Sequence, residues 1–185
     1  LHNHYPSMTQ VARIGTIISN LLPDATIVWN GPGRSVKYHA HFQGTFRQMP
    51  ITKRRLSANE SGIGFEVAGW PIVHYVYDGS RVLVGADAAD KMDELVLLGL
   101  EENMIDVMWV QVNGAPRIYI FPRSRVRPTT AWAKAGWGVP QMAGHLVLYM
   151  DEIERLTALE PAEAEAVIGE LMQEVSAVSI GARKP

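Results

Sequence analysis

Apolar residues recur at Val11, Ile14, Ile17, Ile18, Leu21 and Leu22. This is helical spacing, with Ser7 or Thr9 available as a cap and Pro23 as a stop, so a helix is expected over residues 9–22. Two extended runs, 25–30 and 35–43, then flank Gly31-Pro32-Gly33 and read as a hairpin-like pair. Residues 49–62 are polar, basic and interrupted by Pro50, which predicts a loop. Three strand-like runs follow at 63–68, 72–77 and 81–85, with Asp78-Gly79 as a hairpin signal between the last two. Asp87 opens a helix through Leu98 whose apolar side carries Met92, Leu95 and Val96. Residues 105–112 and 117–121 flank Asn113-Gly114, a second hairpin signal. An irregular stretch rich in Trp, Gly and Pro (128–140) leads to two helices, about 141–158 and 161–177. Pro161 stands in the first turn of the second.

That order predicts an α+β fold: a mainly antiparallel sheet with an N-terminal helix, one internal helix and two C-terminal helices. A chain of 185 residues that is 47% hydrophobic can bury one full core, so residues 8–185 are expected to form a single globular domain. Residues 1–7 read as an appended tag or disordered leader, because Leu-His-Asn-His resembles a purification tag and Met8-Thr9 a natural start. No apolar run approaches the ~20 residues of a membrane helix. The absence of cysteine removes disulfides, thiolate metal sites and cysteine nucleophiles. These features point to a cytoplasmic protein with no membrane partner.

Charge changes the picture. Residues 25–59 contain Arg34, Lys37, Arg47, Lys53, Arg54 and Arg55 and no acid, whereas 60–115 contain ten acids. Residues 116–150 carry Arg117, Arg123, Arg125, Arg127 and Lys134, again with no acid, and 151–175 carry eight acids. A net charge of -2 thus conceals two basic segments with aromatics among them, the composition of a surface that meets phosphate.

In the first segment, strand alternation puts Lys37, His39, His41 and Gln43 on one face and Tyr38, Ala40 and Phe42 on the other. Two imidazoles two residues apart on a strand can chelate a divalent metal, the cofactor this pattern suggests. The pair resembles the His-x-His of relaxase-type nucleases, but no Tyr-x-x-Lys follows. It is also similar to the cupin Gly-x5-His-x-His, with Gly33 correctly spaced, yet Thr45 and Phe46 stand where a glutamate is required. Neither family is identified. His74 is the candidate third ligand.

In the second segment, an extended chain would place Arg117, Tyr119, Phe121, Arg123, Arg125 and Arg127 on one face, offering stacking and phosphate pairing together. Lys53-Arg54-Arg55 adds charge without sequence readout. The function these residues predict is nucleic-acid binding, with phosphodiester cleavage as an associated activity and DNA or RNA as partner. Lys37, Arg47, Lys53, Arg54, Arg55, Arg117, Tyr119, Arg123, Arg125 and Arg127 form the expected surface. Two alternatives stand beside it: a non-catalytic interaction or assembly protein, homo-oligomeric through charge-complementary faces, and a small-molecule enzyme with a metal on His39 and His41.

Overall fold

The computed structural model describes residues 6–31, 41–58, 64–79, 84–125, 127–129, 132 and 136–177. The α+β class is confirmed. The strands are β1 (Thr26–Trp29), β2 (Phe42–Thr45), β3 (Leu56–Ala58), β4 (Phe65–Val67), β5 (Tyr75–Asp78), β6 (Ile105–Val112) and β7 (Ala115–Pro122). They form one sheet in the order β2-β1-β6-β7-β5-β4-β3, and every neighbouring pair is antiparallel. The helices are α1 (Met8–Leu21), α2 (Val84–Leu97), α3 (Val139–Met142), α4 (Met150–Thr157) and α5 (Pro161–Val175).

Both faces of the sheet are covered. Ile27, Trp29, Ile105, Val107, Trp109, Ile118 and Ile120 point to one side and pack beneath α1 and α2. Val28, Val76, Met108, Val110, Tyr119 and Phe121 point to the other, under Met49, Ile51, Trp137, Val139, Met142, Leu171 and Val175. The central β6–β7 hairpin is therefore apolar on both faces, the pattern of a strand pair between two layers. Asn113 (φ 53°) and Gly114 (φ 78°) turn it, as the sequence predicts, because two successive positive φ values suit a primed hairpin turn.

Several elements depart from expectation. The helix near 141–158 is broken into α3 and α4 by residues 143–149. Of the strand expected at 81–85, Val84 and Gly85 belong to α2 instead; residues 80–83, and with them the expected Asp78-Gly79 hairpin, lie outside those described. The basic loop 49–62 contains a 3-10 turn (Pro50–Lys53) and β3, because Met49 and Ile51 are anchored in the core. In α1, Ser7 caps the helix with Gln10 reaching back to its N–H. The buried stripe of α1 is Met8, Val11, Ala12, Gly15 and Ser19, with Ile18 partly buried beside it. Ile14, Ile17 and Leu21 face outward because the small residues let the helix lie directly on the Trp109 indole.

Candidate functional site

The chemistry-bearing residues converge at one end of the sheet, where β1 ends, β2 begins, β6 begins and β7 ends. Trp29 of β1 pairs with Phe42 of β2, so one further step in the antiparallel register sets Asn30 beside His41. Phe42 turns inward, its ring 5.9 Å from that of Trp109. By alternation His41 and Gln43 share the opposite face; His41 is half-buried and Gln43 exposed. Asn30 ties this corner together. Its Nδ2 donates to Gln43 Oε1 at 3.4 Å, and its Oδ1 accepts the Val139 N–H at 2.8 Å.

Beneath this corner lies a charge pair sealed from solvent. Asp106 and Arg123 are both 0% exposed. Asp106 Oδ2 accepts from Arg123 Nη1 at 2.8 Å, and Oδ1 accepts from the Gly31 N–H at 2.8 Å. Arg123 also donates from Nε and Nη2 to the Arg125 carbonyl. Burial pushes the Asp106 carboxyl above its ordinary value, against the pull of the Arg123 charge and the two hydrogen bonds. The sequence signal for this pair is a single acid between Ile105 and Val107 on an apolar strand. A buried carboxylate requires a partner. Neither Asp106 nor Asn30 belongs to the basic or imidazole patterns, and so neither is found by following charge.

Among the described residues the expected polyanion surface does not come together. Tyr119 and Phe121 are 0% exposed, stacked on one another in the core rather than presented for bases. Arg117 donates from Nε to Asp78 Oδ2 at 3.0 Å, Arg123 is committed to Asp106, and Arg125 pairs with Glu174 at 3.1 Å. Arg127 is exposed. Lys53, Arg54 and Arg55 are exposed but lead into β3, at the sheet edge opposite β2. Arg47, also exposed, follows β2 at the end away from His41. It borders an open cavity of about 380 Å3 with Thr26, Thr52 and Gln111, and its Nη1 lies 3.4 Å from His145 Nε2. Lys37 and His39 lie outside the described residues.

Of the expected metal ligands only His41 and His74 fall within the described residues. Among the described residues no group of three or more His, Asp or Glu side chains is arranged to hold a metal ion. His74, the candidate third ligand, uses both ring nitrogens internally: Nε2 accepts the Val67 N–H and Nδ1 contacts the Ile72 carbonyl, each at 2.7 Å. It staples β4 to the chain entering β5. Among the described residues no helix is long and apolar enough to cross a membrane.

No protein-family model matches the sequence, and no curated protein matches it. Solved structures do match the fold. Yeast Ap4A phosphorylase Apa2 superposes with a TM-score of 0.65 at 12% identity, over 99% of this chain and 66% of that one. The same enzyme in complex with Ap4A and in complex with AMP gives a TM-score of 0.62 at 12% identity, over 94% of this chain and 64% of that one. The chain spans just under two thirds of the length of the enzyme it matches. The fold is thus that of a protein whose name gives a small dinucleotide, not a polymer, as what it acts on. Together with the burial of Tyr119, Phe121 and Arg123, this overturns the nucleic-acid reading.

Proposed function

We propose that this chain is a nucleotide-processing enzyme that breaks a phosphoanhydride bond in a small nucleoside polyphosphate, with His41 as the nucleophile. The observation that carries the reading is the likeness of nearly the whole chain, 99% of it, to the fold of an Ap4A phosphorylase. The corner formed by Asn30, His41 and Gln43 supports the choice of nucleophile. Histidine is among the side chains that form covalent intermediates, and this chain has no cysteine to compete for the role.

A neutral His41 ring nitrogen attacks phosphorus. A nitrogen–phosphorus bond forms as the bridging phosphorus–oxygen bond breaks, and the leaving phosphate departs with the electron pair. Water or inorganic phosphate then attacks the same phosphorus, loses its proton, and displaces the imidazole. Splitting one difficult displacement into two in this way is the general advantage of covalent catalysis. Gln43 shares the face of His41 and can donate from its amide nitrogen to a non-bridging oxygen, stabilising charge where it develops. Arg34 and Lys37 stand within ten residues of His41 in the sequence and carry positive charge suited to a polyanionic substrate. Zero cysteines accord with a cytoplasmic setting for such an enzyme.

The test is chromatographic analysis of the protein incubated with ATP and with diadenosine polyphosphates, with and without inorganic phosphate. The expected result is cleavage that disappears in His41→Ala, with a nucleotidyl adduct on the wild-type protein by intact-mass measurement. Absence of cleavage across these nucleotides, or full activity in His41→Ala, would overturn the proposal.

A further inference from the structure

We propose that the buried Asp106–Arg123 pair is a positioning device for the His41 corner, and that its working contact is the hydrogen bond from the Gly31 N–H to Asp106. The inference rests on the reading of His41 as the nucleophile.

The pair is poorly explained by stability alone. Withdrawing two charges from water costs about as much as their attraction returns, and a well-packed apolar pair of similar volume commonly serves a fold as well or better. Here the pair sits at the end of the sheet where β1 and β7 end and β2 and β6 begin. Asp106 is the second residue of β6, and Arg123 immediately follows β7. The Arg123 backbone is fixed independently on both sides: its N–H donates to the Met104 carbonyl, and the residue bridges to Ser176 at the end of α5. The guanidinium is held in addition by the Arg125 carbonyl at 2.9 Å. Arg123 is therefore a rigid post, and it orients the Asp106 carboxylate so that one oxygen faces the post and the other faces Gly31.

Gly31 lies two residues beyond Trp29, whose partner in the register is Phe42. Fixing the Gly31 N–H thus fixes the backbone of Asn30, the residue that stands beside His41 and bonds Gln43. The path from Arg123 to the nucleophile's neighbours runs through two hydrogen bonds and one residue of strand. An apolar pair would fill the same space but offer no acceptor to Gly31. Displacement of a reacting group by about 1 Å can cost on the order of 100-fold in rate, so a slackening of this corner would be read in the kinetics.

Two double variants separate positioning from packing, and neither leaves a charge buried alone. Asp106→Leu with Arg123→Met removes the pair and the acceptor; Asp106→Asn with Arg123→Met removes the charges but retains a side-chain oxygen for the Gly31 N–H. The proposal expects both to fold with similar Tm. In the leucine variant kcat for nucleotide cleavage falls about 100-fold with KM little changed, and the asparagine variant recovers most of that loss. The Gly31 amide, followed by 15N NMR, exchanges faster in the leucine variant alone, and the His41 ring signals shift with it. Equal activity in the two variants, or losses that merely track Tm, would overturn the positioning role. If wild-type protein cleaves no nucleotide, the His41 reading fails by itself, whereas the Gly31 exchange and His41 ring signals still decide whether Asp106 holds the corner.

Discussion

Asn30 donates to Gln43 across the β1–β2 edge while accepting from the Val139 N–H, so one amide joins the sheet edge to α3. The two contacts make opposite demands on its ends, and substitution can separate them. Asn30→Asp keeps an acceptor for Val139 but turns an acceptor toward Gln43 Oε1. It should lose little thermal stability and still depress nucleotide cleavage about tenfold or more, as loss of a well-placed hydrogen bond does. Asn30→Ala leaves the Val139 N–H without its acceptor and should cost an additional ~1–3 kcal/mol in denaturant unfolding. Equal cleavage by wild type and Asn30→Asp would detach Asn30 from the site.

Gly15 lies flat against Trp109. A Cβ built there collides with the indole atoms Cε2, Cζ2 and Cδ2. Alanine is the better helix former by ~1 kcal/mol, which alone would favour Gly15→Ala. The indole is fully buried and held between two layers, so it has no room to retreat. Overpacking of this kind costs ~1–3 kcal/mol, and the balance falls on the side of destabilisation. Calorimetry should record a lower Tm for Gly15→Ala; a rise would mean that α1 slides freely over the sheet.

The same contact explains why the sequence misled about α1. Apolar spacing located the helix to within a residue at either end, and Val11 and Ile18 do turn inward, but Ile14, Ile17 and Leu21 do not; hydrophobicity alone does not reveal that a small residue is needed where a helix meets a tryptophan. The 117–123 segment failed for a related reason. Alternation correctly grouped Arg117, Tyr119, Phe121 and Arg123 on one face, yet it cannot say whether that face meets water or a second layer of helices. Their partners Asp78 and Asp106 come from neighbouring strands and are invisible to local pattern. The His41 face was legible because β2 is an edge strand with a polar side. The fold class was legible because the Asn113-Gly114 hairpin and Pro161 are local signals. Asn30 and Asp106 were not, since their roles arise only when distant strand ends are brought together.

Neutralising the exposed cations ahead of β3 should be nearly silent. Lys53, Arg54 and Arg55 are exposed and lie at the edge opposite β2. Changing all three to serine should alter unfolding free energy by no more than about 0.5 kcal/mol per site and leave nucleotide cleavage within about twofold. A large loss of cleavage would mean that the substrate reaches across the sheet to the far edge.

His74 gives the fold a pH dependence whose sign follows from its contacts. Burial holds its pKa below the ordinary 6.5, and this outweighs the favourable pull of the Ile72 carbonyl and of Glu66. Protonation would also place a hydrogen on Nε2, the atom that accepts the Val67 N–H. The native state therefore prefers the neutral ring, while the unfolded chain takes up a proton near the ordinary value. Above that value both states are neutral and the staple is intact. As pH falls from about 7 through the 6.5 of the free imidazole toward the lowered native value, the unfolded state binds more protons and stability declines. The slope attributable to this one group is at most about 1.4 kcal/mol per pH unit. Urea unfolding at pH 7.5 and pH 5.5 should show the decline in wild type and a smaller one in His74→Gln, whose amide can accept from Val67 without titrating. Parallel declines in the two proteins would assign the effect to other groups and leave His74 a structural staple without a titratable role.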